Sequence, residues 1–258
     1  MKIRMAVLAV LLAVTASTSV SAGTFKRQEV TVGTRKNMEA TLFIPDGPGP
    51  FPSVLVMHTS FGITEADRGY CANLAREGFI CIAPAFLRAH GIMNEEVRRK
   101  AFTSEARPIM EDFIEIIGEL NALPQAKKGA VGAVGFSNGG FFAALLASIG
   151  RVKAGVSYYG ALDGARTHKD LDVFRSRWQA NSSPMLILAG ENDTTIGKGP
   201  PALLDQIIKG VGARDELKWY PDAGHGFDRN GTTGAANAAA AADAWPRTLA
   251  FLRANGVQ

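Results

Sequence analysis

A serine between glycines lies where a predicted strand gives way to a predicted helix. Residues Gly135 to Gly139 read Gly-Phe-Ser-Asn-Gly, with an apolar strand expected over Ala130–Val134 and an apolar helix over Gly139–Ser148. This G-x-S-x-G pattern at a sharp strand-to-helix turn is typical of a serine nucleophile, and it singles out Ser137. A turn without chemistry is the alternative, but the flanking strand and helix favour the catalytic interpretation.

A serine hydroxyl needs a base within hydrogen-bonding reach, and that base needs an orienting carboxylate. Two histidines follow Ser137 in the sequence, His168 and His225. His225 stands between two glycines in the loop after the predicted last strand, Glu216–Tyr220, where its ring can turn over the edge of the sheet. His168 lies among charged residues with no strand before it. We therefore predict His225 as the base and interpret His168 as a solvated surface residue.

The carboxylate is expected after the strand that precedes the last one. Enzymes with a G-x-S-x-G serine at a strand-to-helix turn carry the three catalytic residues in the chain order serine, acid, histidine. The predicted strand Met185–Ala189 leads into Gly-Glu-Asn-Asp, so Asp193 is our choice and Glu191 its rival. Asp222 and Asp228 lie close to His225 in the sequence and remain open as alternatives.

Two backbone N–H groups are expected to bind the negative oxygen that forms during attack on a carbonyl. One belongs to Asn138, directly after the nucleophile. The other belongs to the loop after the predicted strand Ser53–Met57, where Ser60 is preferred and Thr59 is the alternative. His58 begins this loop, and we interpret it as a structural histidine that tethers it.

Aromatic and basic side chains near these motifs are candidates for substrate contacts. The aromatic candidates for an acyl pocket could equally be core residues; they are Phe61, Phe136 and Phe227, with Phe86 as a further one. The stretch Arg88–Arg107 is rich in cations that could recognise an anionic substrate. We favour a solvated charged surface for it, because acids accompany the cations. The acids are Glu95, Glu96 and Glu105, and the cations are Arg88, Arg98, Arg99, Lys100 and Arg107.

Strand and helix patterns alternate along the chain, which predicts a single α/β domain with a mostly parallel central sheet and helices on both faces. Further strands are predicted over Gln28–Val32, Glu39–Ile44, Phe79–Ala83 and Ala154–Tyr159, the first two as antiparallel edge strands. Further helices are predicted over Ala66–Glu77, Asn94–Leu123 with a break near Pro108, Pro200–Lys209 and 235–254.

The first 22 residues have the pattern of a secretory signal peptide: a basic start, an apolar run and a small-residue cleavage site at Val20-Ser21-Ala22. Residues 23–258 would then form the mature domain, secreted or periplasmic, with Gly23 rather than a lipid-bearing cysteine and no stable membrane anchor. Removing Lys2 and Arg4 lowers the formal charge from +4 to +2, too weak to indicate a nucleic-acid partner. A composition of 47% hydrophobic and 20% charged residues excludes disordered and fibrous classes.

The sequence has two cysteines, Cys71 and Cys81. They are predicted on a helix and on the strand that follows it. Export makes a disulfide between them chemically possible, and this alternative stays open. Because disulfide geometry is narrow and buried free thiols are common, we favour the expectation of two free thiols.

Together, these segments resemble the dienelactone hydrolase family of the α/β-hydrolase superfamily. The resemblance covers about Val30 to Leu252 and is carried by the ordered segments Val54–Gly62, Leu74–Pro84, Gly135–Gly140, Gly190–Asp193, Gly224–Phe227 and the closing stretch Ala244–Leu252. It implies an α/β-hydrolase fold, hydrolysis without a metal or organic cofactor, and Ser137, Asp193 and His225 as the catalytic triad.

The chain departs from the founding members of that family, which are cytosolic, use a cysteine nucleophile and carry a glutamate where Thr59 stands here. These departures favour a general serine esterase acting on a small-molecule ester or lactone through an acyl-enzyme. The alternatives are hydrolysis of a larger ester, such as a polyester or an acylated polysaccharide, and a catalytically silent binding protein on the same fold. The sequence is compatible with a monomer or a homodimer.

Overall fold

The computed structural model of the protein describes residues 23–35, 37–94, 98–162, 174–229 and 234–258. The predicted signal peptide, Met1–Ala22, lies outside the described residues, as do His168, Glu95, Glu96 and the side chains of Arg98 and Arg99. Within the described ranges, no helix combines the length and the apolar character that crossing a membrane requires.

The described residues form one eight-stranded sheet in the order β1-β2-β4-β3-β5-β6-β7-β8. The strands are β1 Phe25–Val32, β2 Met38–Pro45, β3 Phe51–Met57, β4 Ile80–Pro84, β5 Ala126–Phe136, β6 Ala154–Tyr158, β7 Met185–Gly190 and β8 Asp215–Tyr220. β2 runs antiparallel to both β1 and β4, and every other pairing is parallel. The predicted, mostly parallel sheet is confirmed. β1 is an edge strand as expected, whereas β2 lies one place inside the edge.

Helices cover both faces of this sheet. They are α1 Glu65–Arg76, α2 Phe86–Ala89, α3 Ala106–Ala122, α4 Asn138–Ser148, α5 Gly199–Gly210 and α6 Ala235–Ala254. Side chains alternate across each strand, so Val54 and Val56 pack with α1 and α6, while Leu55 and Met57 pack with α2 to α5. The predicted layered α/β architecture is therefore confirmed.

The predicted helix over Asn94–Leu123 needs correction. A short 3-10 turn, Arg98–Phe102, precedes α3, which begins at Ala106. The break predicted near Pro108 is observed over residues 103–105, and Pro108 itself lies in the first turn of α3. A proline is tolerated there because the first N–H groups of a helix have no partner within the helix.

The expectation of two free thiols is wrong, because Cys71 and Cys81 form a disulfide. Gly78, with φ +87°, reverses the chain at the end of α1 and sends β4 back beneath that helix. The two Cα atoms lie 5.3 Å apart as a result, within the range that a disulfide spans. Spacing along the sequence does not show this return, which depends on the angle between α1 and β4.

A carboxyl pair, formed by Asp205 of α5 and Asp215 at the start of β8, makes the stability of the fold depend on pH. Burial, together with the neighbouring Asp205 carboxylate, raises the pKa of Asp215 to about 7. The folded protein keeps a proton that the unfolded chain, with an ordinary aspartate pKa of about 4, has released. This contribution to stability is therefore lost as the pH rises from about 4 to about 7.

Asp215→Asn is expected to stabilise the protein by about 1 kcal/mol at pH 8, after allowance for the partial exposure of the site, and to have little effect near pH 4. The asparagine keeps the shape of the side chain but cannot ionise beside Asp205. Thermal unfolding at both pH values measures the difference, and Asp46→Asn, at an exposed turn, serves as the control. An equal shift of Tm at both pH values would contradict the assignment.

Candidate active site

Ser137 is the single residue that connects β5 to α4, and this tight turn strains its backbone. Its φ and ψ are 52° and −113°, outside the regions that serine ordinarily adopts. Its N–H donates to the carbonyl oxygen of Tyr158 at 3.0 Å, and its own carbonyl oxygen accepts from the N–H groups of Gly140 and Ala161 at 2.9 and 3.1 Å. These bonds hold the turn in place, and the residue is only 6% exposed.

Two glycines make this turn possible. A Cβ atom at Gly135 would lie 2.0 Å from the carbonyl oxygen of Gly139, and one at Gly139 would lie 2.1 Å from the carbonyl oxygen of Met57. Both obstacles are backbone atoms, which cannot move aside as a flexible side chain can. Strand β5, helix α4 and the end of β3 can therefore approach this closely only without side chains at these two positions.

The histidine and aspartate that the sequence predicts meet Ser137 at the carboxyl edge of the sheet. The His225 Nε2 atom lies 3.1 Å from Ser137 Oγ, and His225 Nδ1 lies 2.7 Å from Asp193 Oδ2. Asp193 follows β7 and His225 follows β8, which are parallel neighbours whose carboxyl ends lie side by side. Because an ionised carboxylate only accepts, Nδ1 donates to Asp193, and Nε2 is left to accept from the serine hydroxyl.

The second oxygen of Asp193 is held by the backbone. Its Oδ1 atom accepts from the N–H groups of Thr195 at 2.9 Å and Ile196 at 3.0 Å. Burial acts to raise the pKa of Asp193, but the hydrogen bonds from His225, Ile196 and Thr195 outweigh it and hold the pKa below its usual value. The carboxylate is therefore ionised and fixed in orientation toward His225.

The other acids considered as partners of His225 have different neighbours. Glu191 pairs with Lys198 at 3.0 Å, and Asp222 accepts from the amide of Asn192 at 3.4 Å. Asp228 accepts from the hydroxyl of Tyr159 at 2.6 Å. Of the acids weighed for this role, Asp193 is the one that the structure brings to the imidazole.

A sequence profile of the dienelactone hydrolase family matches residues 38–256. The chain belongs to this family. A protein of Synechocystis sp., provisionally named carboxymethylenebutenolidase, is 30% identical over 218 residues, which cover 79% of this chain and 86% of that protein. A Bradyrhizobium protein, provisionally named 2-oxo-3-(5-oxofuran-2-ylidene)propanoate lactonase, is 27% identical over 234 residues, covering 87% and 92% of the two chains.

Among solved structures, a protein of Klebsiella pneumoniae provisionally described as a dienelactone hydrolase superposes with a TM-score of 0.72. It is 24% identical and covers 89% of this chain and 99% of its own. Membership of the dienelactone hydrolase family makes the chain a carboxylic ester hydrolase.

The candidate oxyanion site of this dienelactone hydrolase family member lies where the loop after β3 meets the start of α4. Asn138 is the first residue of α4, so its N–H has no acceptor within the helix. In the loop, the N–H groups of Phe61 and Gly62 turn back to Thr59, each at 3.3 Å. The N–H groups of Thr59 and Ser60 make no such bond within the described chain, so both remain candidate donors.

His58 tethers this loop. Its Nδ1 atom donates to the carbonyl oxygen of Thr59 at 2.7 Å, and its ring stacks on Phe86 with 4.1 Å between centroids. Burial lowers the pKa of His58 to about 4, so the ring is neutral near pH 7. This geometry fits the structural role predicted for it.

The four phenylalanines considered for an acyl pocket differ in exposure: three are buried and one is exposed. Phe136 and Phe227 are buried in the core on the α1 and α6 face of the sheet, and Phe86 is buried on the other face. For these three the structure favours core packing, the alternative left open by the sequence. Phe61 is different: it is 83% exposed, on the loop that carries the candidate oxyanion donors Thr59 and Ser60.

Two arginines of the cation-rich stretch, at its two ends, form ion pairs with acids. Arg88 pairs with Glu39 at 3.2 Å and Arg107 with Glu111 at 2.9 Å. Both arginines are well exposed, which fits the interpretation as a solvated charged surface. The residues that sequence reasoning missed are Tyr159 and Arg229, which pack against His225 and Phe136 respectively.

Proposed function

We propose that the protein is an exported serine hydrolase that cleaves carboxylic esters or lactones through Ser137, His225 and Asp193. The observation that carries this proposal is the position of the His225 ring. Its two nitrogens lie within hydrogen-bonding distance of a serine on a strained turn and of a buried, ionised aspartate. Such a relay can activate a hydroxyl that is otherwise a weak nucleophile.

In the first half of the reaction, Ser137 Oγ bonds to the carbonyl carbon while its proton passes to His225 Nε2. Asp193 stabilises the resulting imidazolium. The negative oxygen of the tetrahedral intermediate accepts from the N–H of Asn138 and from that of Ser60 or Thr59. The bond to the leaving alcohol then breaks, the alcohol oxygen takes the proton from His225, and Ser137 is left acylated.

Water completes the cycle. His225 accepts a proton from the water as its oxygen bonds to the acyl carbon, and a second tetrahedral intermediate forms at the same N–H donors. Its collapse breaks the bond to Ser137 Oγ, which regains a proton from His225, and the carboxylic acid departs. With a lactone, the alcohol and the acid are the two ends of one product.

Export of the enzyme is part of the proposal and rests on two features. The first 22 residues have the composition of a cleavable signal peptide. The disulfide between Cys71 and Cys81 is of a kind that persists in oxidising compartments and is rare in the cytosol.

A larger ester is a second candidate substrate, and the exposure of Phe61 favours it. An exposed apolar ring on the loop that carries the candidate oxyanion donors can rest on a polymer or on a long acyl chain. Acid release from a polyester film and from a small soluble ester, each compared between the wild type and Phe61→Ala, separates the two candidates. A loss confined to the polymer would support the larger substrate.

The nucleophile is tested by a fluorophosphonate probe and intact-mass measurement on the protein lacking residues 1–22. One adduct per chain is expected, absent from Ser137→Ala. If the folded wild type forms no adduct, the serine mechanism is wrong and a silent binding protein becomes the better account.

A further inference from the structure

Tyr159 lies directly against the proposed base. It follows β6, its side chain is fully buried, and its ring centroid is 4.8 Å from that of His225, with a tilt of 60° between the planes. Its φ is +37°, a left-handed value that a bulky residue adopts only when its surroundings enforce it. Strain of this kind tends to be retained where it serves a site.

The hydroxyl of Tyr159 binds the same loop that carries His225. It donates to Asp228 Oδ1 at 2.6 Å and accepts from Arg229 Nε at 3.0 Å. Burial raises the pKa of Tyr159 well above its ordinary value, so the hydroxyl keeps its proton and remains a donor. One side chain therefore contacts this loop twice, through its ring at residue 225 and through its hydroxyl at residues 228 and 229.

Arg229 connects this contact to the rest of the site. Its Nη1 atom donates to Asp67 Oδ1 at 2.8 Å, and its guanidinium lies 3.8 Å from the ring centroid of Phe136, the residue before Ser137. Asp67 is itself fixed in the first turn of α1, where it accepts from the N–H and hydroxyl of Thr64 at 2.8 and 2.7 Å. Through Arg229, the loop that carries His225 is thus linked to α1 and to β5, the strand that leads into Ser137.

We infer that Tyr159 is a positioning residue that sets the orientation of the His225 ring toward Ser137, with Asp228 and Arg229 as its anchors. The two hydrogen bonds of the imidazole lie at opposite ends of the ring and leave it free to tilt about the line between them. The Tyr159 ring, packed against the imidazole at 4.8 Å between centroids, restricts that tilt. The effect on catalysis rests on the proposed function.

The test compares Tyr159→Leu, Tyr159→Phe and a matched control, Tyr158→Phe. Tyr158 is the preceding residue and is also fully buried, and its hydroxyl bonds to Thr248 at 2.8 Å and to the carbonyl oxygen of Ala244 at 3.2 Å. The control therefore loses the buried hydroxyl of the neighbouring residue and leaves the ring contact between Tyr159 and His225 in place.

At a temperature where all variants are folded, Tyr159→Leu is expected to lower kcat and the probe-labelling rate by about 100-fold, with little change in KM. Tyr159→Phe keeps the ring and is expected to lose about tenfold. Tyr158→Phe is expected to remain within about twofold of the wild type. Equal losses in Tyr158→Phe and Tyr159→Leu would overturn the inference, because they would show general destabilisation.

The ring-nitrogen signals of His225 give a readout that does not depend on activity. The chain has 4 histidines, so ¹⁵N-histidine labelling yields few signals, and His225→Gln assigns the one of interest. A single tautomer is expected in the wild type and in Tyr158→Phe, and averaged, shifted signals in Tyr159→Leu. Unchanged signals in Tyr159→Leu would overturn the inference. A wild type that the probe does not label would refute the proposed function, while these signals would still decide the role of Tyr159.

Discussion

Replacement of Ser137 by alanine is expected to lower kcat on an activated ester by about 10⁶-fold, because it removes the oxygen that forms the proposed acyl-enzyme. The folded state should be little changed. Alanine keeps the Cβ atom, so the strained turn is neither relieved nor made worse, and the backbone bonds of residue 137 remain. Burst and steady-state release of a chromogenic alcohol measure the loss, and thermal unfolding reports the fold.

Two further variants make this result specific. Ser53→Ala removes a buried hydroxyl that has no hydrogen-bond partner within the described chain, so activity should be retained. Ser137→Cys replaces one nucleophile with another and should restore acylation by reactive esters, at a reduced rate. Activity in Ser137→Ala within tenfold of the wild type would exclude Ser137 as the nucleophile.

The positions of the strands and of the proposed triad could be predicted because their signals are local. An apolar run that ends at a single glycine, Gly190, marks both the predicted strand Met185–Ala189 and the observed strand Met185–Gly190. The turn at Ser137 also has a local signal, because the two glycines that it requires, Gly135 and Gly139, lie within one motif of five consecutive residues. The order of strand ends at one edge of a parallel sheet then brings Asp193 and His225 toward Ser137.

The remaining features depend on contacts between distant parts of the chain. The bonds from the Tyr159 hydroxyl reach partners 69 and 70 residues later. The disulfide depends on the packing angle between α1 and β4. The burial of Phe136 depends on the face of β5 from which its side chain projects and on what covers that face. No local sequence pattern indicates these contacts. The sequence therefore missed the role of Tyr159, favoured free thiols over the disulfide and left the burial of Phe136 open.

Asp193→Asn is expected to lower kcat by about 10⁴-fold while leaving the fold intact. An asparagine amide can donate to His225 Nδ1, which stabilises the tautomer with its proton on Nε2. That tautomer cannot accept the proton of Ser137, so the base is lost although every side chain remains close to its place. The measurement is kcat on an activated ester, with thermal unfolding as the check on folding.

Glu191→Gln is the matched control, because it makes the same chemical change two residues away on the same loop. Glu191 pairs with Lys198 at the surface, and its side chain is 39% exposed, so the variant should remain within about twofold of the wild type. Asp222→Asn and Asp228→Asn test the two other acids that the sequence left open as partners of His225. A large loss in Glu191→Gln with activity retained in Asp193→Asn would transfer the role of the acid to Glu191. Such a result would require this loop to rearrange before the reaction, since Asp193 is the acid that contacts His225 in the structure.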